Sequence, residues 1–277
     1  MKNAIKLTVA VDMLFLILLA ASSRFYGIVH EILYLLAFAL PFALGWVGAK
    51  RLRCQREEER GLAEVDYPSF LLTRDGWRCF LPLAMPTVGI VYLVAFLTSL
   101  LLNAIGGSAS TVADAPILEM LFLHALLPAV LEEMLFRYLP MKILYSYSPR
   151  AAVLLSALFF SLIHLDLYKM PYAFIAGVVM MLAVVITGSI LPSIIIHFIN
   201  NTASVLLMKY GESPTFSVIF YSVAGGLVLV SIVFVIQRRR EYAGLVREAF
   251  YGKMGYDPSI LLMAGMCVIC ALMNLFS

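Results

Sequence analysis

The sequence predicts an all-α membrane protein, a polytopic helical bundle of about eight or nine spans. Of its 277 residues, 62% are hydrophobic and 13% are charged, and the mean hydropathy is +0.95. Soluble domains are about 45–50% apolar and about 25% charged, so a soluble fold of this composition would expose a large apolar surface. Apolar runs long enough to cross a bilayer also recur along the whole chain.

Nine segments are candidates for spans, because a membrane helix needs about 20 mostly apolar residues. They are 4–22, 29–49, 79–103, 116–136, 150–166, 171–188, 190–208, 215–236 and 258–276. The fifth and sixth are short, which is compatible with a tilted or re-entrant pair lining a cavity. The polar stretch 50–78 is predicted to be a cytoplasmic loop, and residues 1–277 a single integral membrane domain.

The first segment has basic residues before its apolar run, as a signal peptide does. We predict that it is retained, because Asp12 interrupts the run and the run is long. The four cysteines, Cys54, Cys79, Cys267 and Cys270, do not suggest a disulfide framework. The last two form C-x-x-C inside an apolar run, whereas redox or metal pairs normally have a polar, accessible setting.

Basic residues predict the orientation of the chain. If the N-terminus is cytoplasmic and all nine segments cross, 17 of the 20 Lys and Arg residues lie on the inner side, and only Arg24, Lys169 and Lys209 lie outside. We therefore predict a plasma-membrane protein with a cytoplasmic N-terminus. The basic residues form no stripe that could follow a phosphate backbone, so the expected surrounding is the lipid bilayer and not nucleic acid.

Ionisable residues are costly inside a span and are usually functional there. In the fourth segment, Glu133 and Arg137 are four residues apart, so they share a helix face and can pair. Glu132 is rotated from that face by about 100°, so its carboxylate is left for other chemistry. Taken alone, such a cluster is more often an ordinary helix end near the headgroups. His30-Glu31 and Glu119 with His124 are interpreted as residues near the outer ends of their segments.

Two further segments carry polar residues of the same kind. Phe160 and His164 are four residues apart, and so are His197 and Asn201. A lone histidine is more often a satisfied core residue, and a His/Asn stripe more often joins helices by hydrogen bonds. If the side chains converge, however, they supply a general base, hydrogen-bond donors and a site for water.

The three segments together resemble the CPBP family of intramembrane peptidases, which includes type II CAAX prenyl-protein endopeptidases. The resemblance covers 116–208, the expected catalytic core. Its motifs in this sequence are E-E-x-x-x-R at Glu132 to Arg137, F-x-x-x-H at Phe160 to His164, and H-x-x-x-N at His197 to Asn201.

The resemblance implies an endopeptidase in which Glu132 activates water. Glu133 and Arg137 would support the site, while His164 and His197 would hold the water or a metal. The metal ligands would then be Glu132, His164 and His197, types that zinc accepts. No H-E-x-x-H motif requires zinc, so the choice between a metallopeptidase and a glutamate peptidase stays open.

In the same reading, Asn201 helps to hold the water or to stabilise the oxyanion, and Phe160 supports the site. The substrate would be a peptide or protein, lipidated or otherwise membrane-bound. Two other functions fit the sequence: an inactive scaffold or immunity protein, and an ion-coupled transporter, although no internal repeat favours a transporter. Straight helices would place His164 near the outer end of its span, away from Glu132 and His197, so the fifth segment must be tilted, begin later or be broken.

Overall fold

The computed structural model describes residues 1–60, 69, 71, 89, 93, 97, 115–167 and 169–276. Within these ranges, every regular element is a helix, and the only extended pairing is a bridge between Ser69 and Ser189. The helices are α1 Lys2–Ser22, α2 Ile28–Arg60, α3 117–145, α4 Pro149–Leu162, α5 Lys169–Thr187, α6 Leu191–Tyr210, α7 Pro214–Gln237, α8 Arg239–Ala249 and α9 Pro258–Phe276. The predicted fold class is thereby confirmed.

Five of the described helices are long and apolar enough to cross a membrane. They are Lys2–Ser22, Ile28–Gln55 within α2, Lys169–Thr187, Leu191–Tyr210 and Pro214–Gln237. Two shorter apolar helices, Pro149–Leu162 and Pro258–Met273, accompany them. The predicted span 79–103 lies outside the described residues, apart from three isolated helical positions.

Several predicted boundaries are wrong. Residues 50–60, predicted as the start of the loop 50–78, continue α2, because their Lys, Arg, Gln and Glu residues are good helix formers even outside the apolar region. The fifth segment ends at Leu162 rather than at 166, and α3 continues to 145 rather than 136. The rest of the predicted loop, 61–78, lies outside the described residues except for Ser69 and Leu71.

Local sequence explains where several helices begin. Ser148 and Ser213 each precede a proline, and their hydroxyls accept hydrogen bonds from the N–H groups of Ala151 and Phe216. Asp257 likewise precedes Pro258 and accepts from the N–H of Ser259 at 3.0 Å. A capping side chain followed by proline satisfies the free N–H groups of the first turn and presets its backbone.

Helix α3 is not a regular α-helix. Its turns at Leu121–Leu126, Met134–Tyr138 and Met141–Tyr145 are π-helical, and regular turns including Leu127–Glu133 separate them. Pro128 and Pro140 lie between the π turns and lack the N–H that a regular helix needs, so distortion at these points is expected. Glu132 and Glu133 therefore lie on a short α-helical turn between two π turns, an arrangement frequent at functional sites.

The core forms where α1, α2, α3, α4, α5 and α9 pack together. Small residues allow close approach: a Cβ on Gly45 of α2 would meet Leu139 and Val11, and one on Gly177 of α5 would lie 3.1 Å from the Cβ of Ala157 on α4. Such contacts are typical of helix packing in membranes. Helix α6 packs against α3 and α5.

Three of the four cysteines lie within the described residues. Cys54, Cys267 and Cys270 are free, and Cys79 lies outside the described residues. Cys267 is buried within α9 and Cys270 is exposed on it, as expected for small residues of an apolar helix.

Candidate active site

The two consecutive glutamates of α3 have different surroundings. Glu133 is fully buried, and its Oε2 lies 3.3 Å from Nε of Arg137, whose side chain is also fully buried. Glu132 keeps 18% of its side chain exposed. The predicted Glu133–Arg137 pair is therefore confirmed, and Glu132 is the carboxylate that remains accessible.

His197 of α6 lies between these two carboxylates. Its Nδ1 is 2.8 Å from Oε1 of Glu133, and its Nε2 is 3.7 Å from Oε2 of Glu132. A carboxylate can only accept, so Nδ1 carries the hydrogen and donates to Glu133. The Glu133–Arg137 pair thus holds one edge of the imidazole, and the other edge faces Glu132.

The ring of Phe160 joins the three motifs. It is buried, with its centroid 4.0 Å from the guanidinium carbon of Arg137. The imidazoles of His164 and His197 both meet it edge-on, with centroid separations of 5.1 and 5.6 Å. The contact with His164 was predicted from spacing, whereas the contacts with Arg137 and His197 depend on how α3 and α6 pack against α4.

His164 lies just beyond α4, in the turn toward α5. Its Nδ1 is 2.8 Å from the carbonyl oxygen of Phe160, to which it donates. Leu165, the next residue, has φ +48°, a left-handed conformation that is uncommon and costly for leucine. The Ser161 hydroxyl donates to the carbonyl of Met170 at 2.7 Å and ties this turn to α5. Because the helix ends at Leu162 and the chain turns, His164 reaches the cavity although a straight helix would not bring it there.

Asn201 lies one turn after His197, on the side of α6 that faces α3. Its side-chain N–H donates to the carbonyl of Ala125 at 3.4 Å, inside the first π turn. Its neighbour Asn200 accepts a hydrogen bond from the hydroxyl of Tyr172 on α5. One amide hydrogen of Asn201 is left for the cavity.

The predicted site residues meet at one cavity of about 350 Å³. Glu132, His164, His197 and Asn201 all line it, so the convergence of three helices that the motifs predict is observed. A smaller pocket of about 50 Å³ lies on the other side of His164 and His197, with Tyr172 and Met180 among its lining residues.

Other lining residues were not predicted to belong to the site. Besides three apolar residues of α3, they are His30, Glu31 and Tyr34 from the start of α2, and His124 from α3. His30 and Glu31 do stand at the beginning of a helix, as predicted, but they also form the opposite wall of the cavity. The cavity therefore contains all four histidines of the chain. The scarcity of histidine in the sequence was the available signal that all four could belong to one site. Only the packing of α2 against α3 shows that they do.

As they are placed in the described part of the chain, the side chains do not form a metal site. Among the residues that the structure describes, no group of three or more His, Cys, Asp or Glu side chains could hold a metal ion. Because Nδ1 of His197 donates to Glu133 and Nδ1 of His164 donates to a backbone carbonyl, each ring could offer a metal only its Nε2, and Nε2 of His197 is 3.7 Å from Oε2 of Glu132. Zinc ligands lie about 2.0–2.2 Å from the ion in a tetrahedron, and these groups would have to move to provide one.

Fold and site together define a polytopic helical membrane protein with a glutamate–histidine cavity inside its bundle. Residues 114–203 match the family described as type II CAAX prenyl endopeptidase, Rce1-like. The match covers about a third of the chain, and it includes all three motifs. The predicted resemblance to CPBP peptidases is confirmed. No curated protein and no solved structure matches the chain.

Proposed function

We propose that this protein is an intramembrane endopeptidase in which Glu132 is the general base that activates water. The observation that carries the proposal is that Glu132 of α3, His164 of the turn after α4, and His197 and Asn201 of α6 line one cavity. The neighbouring Glu133 is buried and paired with Arg137. One glutamate is thus left accessible for proton transfer, while the other fixes the structure around it.

The reaction needs only groups of this cavity and one water molecule. Glu132 takes a proton from water as the water oxygen attacks the carbonyl carbon of the scissile bond. The electrons of the C=O double bond move to its oxygen, which gives a tetrahedral intermediate. When the C–O double bond re-forms, the C–N bond breaks, and the proton held by Glu132 passes to the leaving nitrogen. The carboxylate is regenerated for the next cycle.

The imidazoles and the amide have separate roles. Nδ1 of His164 donates to the Phe160 carbonyl, so Nε2 of the neutral ring is an acceptor that can orient the attacking water together with Glu132. The free N–H of Asn201 can stabilise the negative oxygen of the intermediate. His197 can add an Nε2–H when its ring is protonated, because Nδ1 already donates to Glu133.

The family match supports a proposal for the substrate class. Type II CAAX prenyl endopeptidases are named for prenylated proteins, and such a lipid would keep a peptide in the same bilayer as the cavity. We propose a membrane-bound peptide or protein with a prenylated C-terminal motif as the substrate, and an enzyme of the plasma membrane with a cytoplasmic N-terminus.

A cleavage assay with the purified full-length chain tests the proposal. The probe is a farnesylated, internally quenched peptide ending in a CAAX sequence, with mass spectrometry to locate the cleaved bond. We expect the wild type to cleave it and Glu132→Gln to lose at least about 10²-fold in rate, because general-base catalysis typically contributes 10²–10⁴-fold.

The matched control is Glu119→Gln, on the same helix but exposed and outside the lining of the cavity. This variant should cleave at the wild-type rate. Full activity of Glu132→Gln would remove its assigned role. Absence of cleavage by the wild type would favour a scaffold or a transporter, and ion flux in proteoliposomes would then separate these two.

A further inference from the structure

Tyr34 forms part of the cavity wall opposite the three motifs. It lies on the second turn of α2, and it lines the same cavity as Glu132, His164 and His197. None of the three motifs includes it. Tyr34 therefore belongs to the wall of the space in which a substrate carbonyl would lie.

Packed aromatic rings fix the position of Tyr34 relative to the catalytic groups. The Tyr34 ring meets Phe38 edge-on at 5.3 Å, and Phe38 lies 4.7 Å from Phe15 of α1. Phe15 in turn lies 5.5 Å from Phe136, which is 5.9 Å from Phe160. These rings connect Tyr34 to the phenyl ring that contacts both imidazoles. Interiors packed in this way hold side chains in defined rotamers.

The hydroxyl of Tyr34 makes no hydrogen bond within the described residues. The described part of the chain provides it with no hydrogen-bond partner, while the carboxylates of Glu132 and Glu31 are both near enough to act on it electrostatically. Glu132 and Tyr34 thus influence each other across the cavity without a direct hydrogen bond. The cavity of about 350 Å³ that both residues line has room for a small polar group.

The cavity is rich in acceptors and poor in donors. Glu132 accepts only, and the neutral rings of His164 and His197 offer unprotonated Nε2 atoms because each Nδ1 already donates elsewhere. The alkoxide of a tetrahedral intermediate needs donors aimed at it. The phenolic O–H of Tyr34 is a donor whatever the protonation state of the two imidazoles.

We propose that Tyr34 is a catalytic residue, whose O–H donates a hydrogen bond to the scissile carbonyl oxygen as it becomes the alkoxide of the tetrahedral intermediate. This role rests on the proposed peptidase function. It adds a donor from α2, outside the Rce1-like segment, to the amide of Asn201 from α6. The developing charge would then be held from two walls of the cavity.

The test is Tyr34→Phe, which removes one oxygen and keeps the ring and its aromatic contacts. The matched control is Tyr138→Phe on α3, because Tyr138 stacks on Trp46 at 5.8 Å and does not line the cavity. With the farnesylated peptide, we expect kcat of Tyr34→Phe to fall about 10²-fold, as for other lost oxyanion donors, while KM stays near the wild-type value. Tyr138→Phe should keep both constants.

A second measurement separates this role from a structural one. A statine-containing farnesylated peptide carries a hydroxyl on a tetrahedral carbon, and its inhibition constant should rise by up to about tenfold in Tyr34→Phe. Unchanged kcat and inhibition constant in Tyr34→Phe, with Glu132→Gln inactive, would overturn the role of Tyr34 and leave the proposed function standing. A wild type that cleaves no peptide would overturn both.

Discussion

Two adjacent residues, Glu132 and Glu133, show how far single positions can be understood from the sequence. Their rotation by about 100° on a helix, and the spacing of Glu133 to Arg137, predict one paired and one open carboxylate. The structure has this arrangement. The contact of His197 with both carboxylates was not predictable, because it depends on the distance between α3 and α6 and not on spacing along the chain.

The buried ion pair leads to a prediction about stability. Glu133→Gln leaves the Arg137 guanidinium in the core without the carboxylate that lies 3.3 Å away. Removing one partner of a buried pair typically costs about 3–5 kcal/mol, because the remaining charge is uncompensated. We therefore expect a clear loss of thermal stability, measured by unfolding of the purified protein in detergent micelles.

A double variant serves as the control for this prediction. Glu133→Gln combined with Arg137→Met removes the isolated charge and keeps similar volume, so it should recover most of the lost stability. It should not recover cleavage, because His197 then lacks its charged anchor. Glu133→Gln with the wild-type unfolding temperature would show that the pair does not stabilise the fold.

Among the elements, apolar helices were predictable and their ends were not. Hydropathy located every long described helix except α8, Arg239–Ala249, which is polar along much of its length and was not predicted. Its apolar side is nevertheless used, because Ala249 is buried and Phe250 packs against the core. The π turns of α3 and the early end of α4 arise from proline positions and from the turn at Leu165, which hydropathy does not record.

The contact between α4 and α5 gives a prediction at the scale of elements. A Cβ on Gly177 would lie 3.0 Å from the Cα and 3.1 Å from the Cβ of Ala157. Gly177→Leu should therefore force the two helices apart, and overpacking of this kind typically costs about 1–3 kcal/mol. Because α4 leads into the turn that holds His164, cleavage should also slow. Unfolding in detergent and the peptide assay measure the two effects.

Gly226 of α7 is the matched control, since no described residue lies within 4 Å of a Cβ built there. Gly226→Leu should leave the unfolding temperature and the activity close to those of the wild type. If Gly177→Leu behaves in the same way, the close approach of α4 and α5 does not position His164.

For the whole molecule, the surface of the helices supports the membrane assignment that composition predicts. Ser231 is the one residue of α7 that the structure describes as buried. The exposed residues of this helix include Val218, Leu229 and Val233. A helix that is apolar on all sides and little covered by protein is expected to face lipid.

The arrangement of three motifs around one cavity could be predicted only from their joint resemblance to a family, because each motif alone has an ordinary structural explanation. The wall from α2 could not be predicted in this way, since it lies outside the motifs.

Orientation in the membrane is a prediction that the basic residues make for the molecule as a whole. With the N-terminus inside, the polar end of α2 is cytoplasmic, and the turn between α6 and α7 is outside. Cys54, at the polar end of α2, and Glu212, in that turn, are both exposed and so are suitable reporters.

In a chain whose other three cysteines are replaced by serine, Cys54 should react with a membrane-impermeant maleimide only after the cells are opened. When Cys54 is also replaced and Glu212→Cys is introduced, the new thiol should react in intact cells. The reverse pattern would invert the topology, and reaction of both reporters from the same side would show that the number of spans between them is even and not odd.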